Sequence, residues 1–278
     1  MLTHPGTLLL NSLLPPLVLL AVFLAAFAVY CIQRALGRTT LQAVKHDRVF
    51  GPYLAGFLIW LIGPLERRLI GRVSPNVITV ISLLGCAATG AAVGHGALGA
   101  AAWLYGISGI LDILDGRLAR LGNKQTAAGA LLDSVSDRWG ELFVFAGYTW
   151  YLHESLWLLA VLGAFGGSVM VSYTRARAEG LGVALSTGIM QRAERIVLVA
   201  VGTLAAAAVD APTAEWILGV TMSLTGILSI GTALSRWHTA YRMLTAPAPV
   251  AEPAPTLEPV RPIPIPAAAD LRRPVEQH

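Results

Sequence analysis

The chain alternates between long apolar runs and short polar interruptions. Its first apolar run, Leu8 to Cys31, has 24 residues, enough for a helix to cross a bilayer. Pro15 and Pro16 within this run predict a kink or a late start of the helix. No basic segment precedes the run and no small-residue cleavage site follows it. We therefore interpret it as a retained transmembrane helix and not as a signal peptide.

A basic segment and a shorter apolar segment come next. Residues Gln33 to Arg48 include four Lys or Arg side chains, which is typical of a segment at the membrane surface. In the following stretch, Gly51 to Arg72, the apolar part is only about half as long as a membrane span requires, and charged residues follow it. This pattern predicts a helix that lies in the membrane interface.

Six further apolar runs predict six transmembrane helices that form one unit. We place them at Pro75 to Val93, Leu98 to Leu121, Ala128 to Tyr151, Leu156 to Arg177, Arg192 to Val209 and Trp216 to Arg236. The sequence therefore predicts an all-α, polytopic membrane protein with four parts. These are an N-terminal transmembrane helix (residues 1–32), a juxtamembrane segment (33–73), a six-helix membrane domain (74–245) and a Pro-rich, disordered tail (246–278).

The distribution of Lys and Arg over the loops predicts how the protein is oriented in the membrane. The loops at residues 94–97, 152–155 and 210–215 contain no Lys or Arg, whereas basic residues gather at the opposite helix ends. The positive-inside rule then places the loop at 122–127 and the tail in the cytoplasm, and residue 1 outside. We expect a multi-pass protein of the cell inner (plasma) membrane, with the polar loop at 122–127 facing the cytoplasm.

Composition agrees with a membrane protein and argues against other classes. The 278 residues are 55% hydrophobic and 13% charged, whereas soluble domains have roughly 25% charged residues. The net charge of +4 comes from dispersed basic residues, so we expect no nucleic-acid partner. Cys31 and Cys86 are isolated in apolar runs and predict neither a disulfide framework nor a metal cluster.

Four aspartates interrupt the apolar pattern in the middle of the chain. Asp112 and Asp115 are three residues apart, and Asp133 and Asp137 are four apart, so each pair lies on one face of a helix. The polar residues between the pairs predict a turn. Both pairs lie roughly 14 to 20 Å along their helices from this turn. All four carboxylates can therefore meet at one depth in the membrane.

Such a cluster needs cations, because like charges would otherwise drive several of the four carboxylates to the protonated state. Two divalent ions would balance the formal charge, and an all-oxygen set favours Mg²⁺, Mn²⁺ or Ca²⁺. Gly116 and Gly129 leave room for a ligand or a facing backbone, and Arg120 offers donors suited to phosphate. The alternative is a solvated hairpin with four exposed acids, but the intervening residues are largely Leu, Ile, Val and Ala.

The motif resembles the signature of the CDP-alcohol phosphotransferase (CDP-alcohol phosphatidyltransferase) family at every spacing. Its eight fixed positions are Asp112, Asp115, Gly116, Ala119, Arg120, Gly129, Asp133 and Asp137. The resemblance extends more loosely from about Phe50 to Met243. It implies a homodimeric membrane enzyme with six transmembrane helices and two Mg²⁺ or Mn²⁺ ions. Such enzymes transfer a phosphatidyl or similar group from a CDP-linked donor to an alcohol and release CMP.

The resemblance also implies roles for individual residues. The four aspartates would hold the metals, and Asp137 would act as general base, with the alternative that it is a ligand only. Gly116, Ala119, Arg120 and Thr126 would contact the donor. The stretch from Asn76 through Val77 and Ile78 to Thr79 matches the family's opening of the first core helix and would border the nucleotide. Its other interpretation is a helix start with Ser74 as cap and Pro75 in the first turn.

A second group of residues, most of them arginines, indicates which alcohol accepts the transferred group. The run SYTRARAEG and the later QRAER resemble the subgroup of the family that makes phosphatidylinositol phosphate, with Arg175 where many members have Lys and Ala193 where many have Pro. The resemblance implies an acceptor phosphate bound by Ser172, Arg175, Arg192, Arg195 and Arg236. The alternative interpretation of these arginines is anchoring to lipid headgroups.

Several functions stay open at this stage. CDP-diacylglycerol as donor and inositol phosphate as acceptor are the first expectation, and glycerol phosphate, serine or another alcohol would use the same donor motif. A carboxylate-lined ion transporter is another class, but it does not explain the fixed offsets of the glycines and Arg120. An inactive scaffold that recruits a partner through its Pro-rich tail is a third.

Overall fold

A computed structural model of the chain describes residues 5–38, 51–185 and 188–246, with the side chains of residues 5–17, 19 and 51–55 left aside. The regular structure in this part of the chain is helical throughout, which confirms the predicted all-α class. The helices are α1 (Pro5–Ala35), α2 (Gly51–Leu69), α3 (Pro75–Gly94), α4 (Leu98–Leu121), α5 (Ala127–Tyr151), α6 (Leu158–Glu179), α7 (Arg192–Ala206) and α8 (Ala211–Thr245).

The helices follow the apolar runs, with the largest differences in α8. This helix begins five residues before the predicted start because Asp210 caps it: the Thr213 backbone N–H and hydroxyl both donate to the Asp210 carboxylate, at 3.3 and 2.9 Å. It also continues to Thr245, nine residues beyond the predicted end. The N-terminal helix begins at Pro5 and contains both Pro15 and Pro16, so the expected late start is wrong.

Four helices in the described part of the chain are long and apolar enough to cross a membrane. They are α3, α4, α6 and α8. α5 is not among them because it carries too many charged residues, and α7 is not because it has only 15 residues. The charges that disqualify α5 include Asp133 and Asp137 of the motif. The protein is thus a multi-pass membrane protein. Its core helix α5 is less apolar because it carries charged residues of the motif.

Close packing around α3 brings the motif helices together. This helix packs along both α4 and α5, and α4 also packs against α7. Glycine makes the α3–α5 contact possible, since a Cβ on Gly147 would lie 2.2 Å from the carbonyl oxygen of Gly90. A buried apolar cluster that includes Val93, Tyr105 and Tyr148 fills the middle of the bundle. The shared support on α3 fixes the position of α4 relative to α5.

The two N-terminal helices are fastened to each other and then to the core. Phe57 of α2 is fully buried, and its ring contacts Phe23 and Phe27 of α1 edge-on, with centroids 5.2 and 5.0 Å apart. The Trp60 indole also donates to Gln33, at 3.1 Å. At the other end of α2, Glu66 forms an ion pair with Arg117 of α4. The interfacial position of α2 stays a prediction.

Some expectations fall on parts of the chain that the structure leaves aside. Most of the basic segment, residues 39–48, and the Pro-rich segment from residue 247 onward lie outside the described residues. The four-part division of the chain accordingly stays a prediction.

Candidate active site

Three of the four motif carboxylates meet at one point between α4 and α5. One oxygen each from Asp112, Asp133 and Asp137 lies within 4.8 Å of the others. The helices reach this arrangement because both pack on α3 and a short turn joins them. The predicted convergence of the two pairs is therefore present for three of the aspartates.

The turn between α4 and α5 sets the start of the second motif helix. Asn123 adopts a left-handed conformation, with φ of 51°, which asparagine tolerates better than most residues. Thr126 caps α5, since its hydroxyl accepts a hydrogen bond from the Gly129 N–H at 3.0 Å. A Cβ on Gly129 would lie 3.4 Å from the Asn76 side-chain oxygen. Gly129 thus allows the starts of α3 and α5 to lie together.

Asp115 lies beside the three carboxylates but points toward α3. It is 3% exposed, and it accepts a hydrogen bond of 2.6 Å from the Thr79 hydroxyl. The charges of Asp112 and Asp133 still act on it, so it belongs to the same electrostatic cluster. The structure therefore connects Thr79, predicted to border the nucleotide, with a motif aspartate.

The other residues predicted to border the nucleotide, at the start of α3, differ in their exposure to solvent. Asn76 and Val77 are exposed, whereas Ile78 is buried in an apolar cluster with Leu114 and Leu118. Pro75 begins the helix as expected. The Ser74 side chain makes no capping hydrogen bond, so that part of the helix-start interpretation is wrong; its backbone alone occupies the cap position in an extended conformation.

Arg192 of α7 lies among the motif carboxylates. Its Nη1 forms ion pairs with Asp112 and, at 2.7 Å, with Asp137. The sequence placed this arginine at an acceptor phosphate, and its contacts with the aspartates were not foreseen. Thr79, Ser82, Cys86 and Ser136 line the small polar recess around these charges, together with Asp112, Asp137 and Arg192 themselves. α7 thus contributes a cation to the site formed by α4 and α5.

Arg195 is held by a partner that sequence reasoning missed. It is 2% exposed, and its Nη2 donates to the carboxylate of Glu141, which is itself 3% exposed. Its Nη1 donates to the Met190 carbonyl at 3.3 Å. The sequence could have indicated that Glu141 lies near the site, because it follows Asp137 by four residues and so lies on the same face of α5. Arg195 has its Nε without a partner among the described residues.

The remaining predicted acceptor residues lie between α6 and α8. Arg236 is buried and donates to the Val171 carbonyl at 2.8 Å. This hydrogen bond holds Arg236 of α8 against α6, the helix that carries Ser172 and Arg175. Arg175 is exposed and pairs with Glu179 at 2.8 Å. The Ser172 hydroxyl donates to the Ser168 carbonyl at 3.4 Å.

The C-terminal end of α4 carries the rest of the motif. Gly116 and Ala119 are partly exposed there. Arg120 is exposed, and its charge acts on Asp133. A side chain at position 116 would approach the Arg120 guanidinium to 3.3 Å. Glycine at position 116 therefore leaves space for the Arg120 guanidinium.

The donor atoms fit a divalent metal. Asp112, Asp133 and Asp137 offer only carboxylate oxygens, and hard cations such as Mg²⁺ and Mn²⁺ prefer these ligands. Neither cysteine is among the three grouped residues, and no soft ligand is present in the described group. Taken with the fold, the cluster defines a class of protein: a multi-pass membrane enzyme whose polar site is built from acidic side chains within its helices.

Comparison with known proteins identifies the family. Residues 72–231 match the CDP-alcohol phosphatidyltransferase family, and the chain belongs to that family. The match includes all four aspartates and both core arginines of α7. The protein is accordingly a divalent-metal-dependent transferase of phospholipid biosynthesis.

Named relatives make inositol phospholipids. The chain is 38% identical over 148 residues to the archaetidylinositol phosphate synthase of Methanothermobacter thermautotrophicus, covering 51% of this chain and 75% of the relative. It is 31% identical over 186 residues to the phosphatidylinositol phosphate synthase of Mycobacterium tuberculosis, covering 64% of this chain and 84% of the relative.

Solved structures of the Mycobacterium tuberculosis enzyme share the fold. The crystal structure with CDP-DAG bound has a TM-score of 0.57 and 29% identity, covering 66% of this chain and 94% of that one. A second crystal structure, of the complex with manganese and citrate, also has a TM-score of 0.57, with 30% identity, covering 64% of this chain and 88% of that one.

Proposed function

We propose that this enzyme transfers a phosphatidyl group from CDP-diacylglycerol to inositol phosphate, giving phosphatidylinositol phosphate and CMP. The observation that carries the proposal is the meeting of three motif carboxylates with Arg192, one turn before the buried Arg195 on α7. The carboxylates suit a metal-bound diphosphate, and the arginines suit an acceptor that carries its own phosphate. The names of the relatives favour the same acceptor.

The aspartates would hold the metals on the donor side. Asp112, Asp115, Asp133 and Asp137 are the proposed ligands of two Mg²⁺ or Mn²⁺ ions. Bound there, the ions supply charge neutralisation for the diphosphate oxygens and for the CMP leaving group. Asp115 reaches its place through Thr79, whose hydroxyl orients the carboxylate. Arg192 balances charge at Asp112 and Asp137 from α7.

The reaction is a single displacement at phosphorus. The acceptor hydroxyl oxygen forms a bond to the phosphorus that carries diacylglycerol, and the bond from that phosphorus to the CMP oxygen breaks. Asp137 would accept the hydroxyl proton on a carboxylate oxygen, and the alternative that it serves only as a metal ligand stays open. No covalent enzyme intermediate is required.

The donor nucleotide would lie along the ends of α3, α4 and α5. Arg120 would bind the phosphates, and Gly116 and Ala119 would let the nucleotide approach α4. Asn76, Val77 and Thr126 would border it from the neighbouring helix starts. Ile78 would contribute indirectly, because it packs against Leu114 in the apolar core and so supports the helix that carries Asp115.

The acceptor phosphate would be bound by arginines of α6, α7 and α8. Arg175 is exposed and Arg195 keeps Nε available, and both act electrostatically on Arg236. Ser172 stands one turn before Arg175 and could donate its hydroxyl instead of returning it to Ser168. Arg192 would join them from the first turn of α7. Glycerol phosphate is the alternative acceptor with the same charge.

We also propose the setting of the enzyme. The positive-inside pattern supports an active site that faces the cytoplasm of the inner (plasma) membrane. The homodimer expected from the family resemblance is retained as part of the proposal, and the mass of the protein–detergent complex in solution tests it.

An acceptor panel tests the proposed function. Purified enzyme in lipid nanodiscs with Mg²⁺ and CDP-diacylglycerol is offered inositol phosphate, glycerol phosphate, serine or inositol, and CMP is measured. We expect CMP release with inositol phosphate and little with the uncharged inositol, because only a phosphorylated acceptor engages the arginines. Preference for inositol or serine would contradict the acceptor assignment. Absence of CMP with every acceptor would contradict the reaction.

A further inference from the structure

A bidentate ion pair joins α2 to α4 inside an apolar contact. Arg117 of α4 donates through Nε and Nη2 to the two carboxylate oxygens of Glu66 of α2, and the Nη2 bond is 3.2 Å long. The side chains of Arg117 and Glu66 are only 13% and 9% exposed. Beside them, Ile62 of α2 is buried in one cluster with Leu114 and Leu118 of α4. Two charges therefore stand within a helix contact that is built largely from aliphatic side chains.

Stability alone is a poor reason for a buried ion pair in such a contact. Taking two charges out of water costs about as much as their attraction returns, and aliphatic side chains of similar volume often hold two helices as well or better. The pair adds direction instead, because the guanidinium fork fits a carboxylate in one planar arrangement. Aliphatic surfaces tolerate several arrangements of similar energy. The ion pair therefore specifies how α2 lies along α4.

Arg117 belongs to the motif segment but faces away from the carboxylates. At 3.6 residues per turn, it lies about 200° around α4 from Asp115. Asp115 accepts a hydrogen bond from Thr79 of α3, whereas Arg117 turns to α2. Gly116 and Arg120, both proposed donor contacts, lie one residue before and three residues after Arg117 in the chain. Arg117 can therefore influence the donor through the helix that carries these residues.

The ion pair lies close to the point where the burial of α4 ends. Leu118 is buried, and Arg120 is exposed two residues later. Nearer the middle of the bundle α4 is supported from other helices, since Asp112 is paired with Arg192 of α7. Loss of the ion pair should therefore disturb the end of α4 more than the point at which the carboxylates meet.

We propose that Glu66 is a positioning residue for donor binding: through Arg117 it fixes the last buried turn of α4, so that Gly116 and Arg120 meet the nucleotide and phosphates of the CDP-linked donor. This inference rests on the proposed function and on the donor position given there. It assigns a role in donor affinity to α2, which precedes residue 72, where the family match begins. The acceptor and the transfer step itself are left to other helices.

The kinetics of Glu66→Gln in lipid nanodiscs test this role, because glutamine keeps the shape and removes the charge. We expect KM for CDP-diacylglycerol to rise about tenfold, the loss of one charged hydrogen bond, with kcat and KM for inositol phosphate changed less than about twofold. The dissociation constant of CMP, measured by calorimetry with Mg²⁺, should rise by a similar factor. Glu154→Gln removes the same charge from an exposed position and should change none of these values.

An apolar double variant separates positioning from stability. Glu66→Leu with Arg117→Met removes both charges and keeps aliphatic packing between α2 and α4. We expect Glu66→Gln to unfold at a lower temperature than the unaltered enzyme and the double variant to recover that loss, because no buried charge is left unpaired. KM for CDP-diacylglycerol and the dissociation constant of CMP should nevertheless stay raised in the double variant. If the pair served stability alone, both would recover together with the unfolding temperature.

The outcomes distinguish this inference from the function on which it rests. Unchanged donor KM in Glu66→Gln, equal rises in donor and acceptor KM, or recovery of donor KM in the double variant would overturn the positioning role and leave the proposed function standing. Absence of CMP release from the unaltered enzyme with every acceptor would overturn the proposed function. The CMP dissociation constants need no turnover, so equal values in the unaltered enzyme and both variants would still overturn the positioning role.

Discussion

An Asp133→Asn enzyme is expected to keep its fold and lose turnover by about a thousandfold, the scale on which metal and preorganised charge lower such barriers. Asp133 is one of three carboxylates whose oxygens lie within 4.8 Å of one another. An amide keeps the shape but removes the negative charge, so the site holds a divalent ion less well and the diphosphate loses its counter-charge. Asp115→Asn should have a similar effect, because it belongs to the same electrostatic cluster.

The control is an acid far from the cluster. Glu154 lies in the turn after α5, with its side chain 89% exposed, and Glu154→Gln should turn over normally. CMP release from CDP-diacylglycerol measures all three variants, and their elution in detergent verifies folding. Equal activity in Asp115→Asn, Asp133→Asn and Glu154→Gln would mean that the site has been placed wrongly.

A Glu141→Gln enzyme is expected to be destabilised by about 3–5 kcal/mol, the cost of removing one partner from a buried ion pair. Arg195 and Glu141 are both almost completely buried, and Arg195 would keep its charge with a weaker acceptor. Arg138 also lies 3.6 Å from the same carboxylate, so the substitution weakens a second ion pair. Unfolding in a denaturing detergent, followed by circular dichroism, measures the loss.

An exposed ion pair supplies the comparison. Arg175 and Glu179 are one turn apart on α6 with side chains about half exposed, so Glu179→Gln should cost at most about 1 kcal/mol. A double variant, Glu141→Leu with Arg195→Met, should recover much of the stability because no buried charge is left unpaired. If Glu141→Gln were as stable as Glu179→Gln, the buried pair would not be a structural element of the α5–α7 contact.

The helices could be predicted from sequence because each follows an apolar run whose ends are polar. The residues at which the helices begin and end depended on local chemistry. The start of α8 was missed because the Asp210 cap lies in a polar segment that looked like loop. α5 and α7 were predicted as spans although α5 is rich in charge and α7 is short. A helix inside a bundle can carry polar residues that a lipid-facing one cannot.

Much of the site was also predictable, because residue spacing on a helix determines which side chains share a face. The three-residue and four-residue intervals of the aspartates were enough to bring Asp112 near Asp133 and Asp137. Contacts between distant helices were not predictable in this way. The Arg192 ion pairs and the Glu141–Arg195 pair depend on how α7 packs against α4 and α5, which no local pattern encodes.

The N-terminal helices show the same limit. Apolar length predicted α1, but its place beside α2 and α4 depends on the contacts of Phe57 with aromatic side chains and on the Glu66–Arg117 pair. Neither contact follows from a periodic pattern.

Manganese binding tests the central claim most directly, namely that the motif aspartates gather divalent ions at the donor diphosphate. Electron paramagnetic resonance of the purified enzyme with CDP-diacylglycerol counts bound Mn²⁺, and the same samples are assayed for CMP release before and after chelation. We predict two ions per chain, their loss in Asp133→Asn, and CMP release that stops on chelation and returns with Mn²⁺. Unchanged binding in Asp133→Asn, or CMP release that persists without metal, would contradict the account.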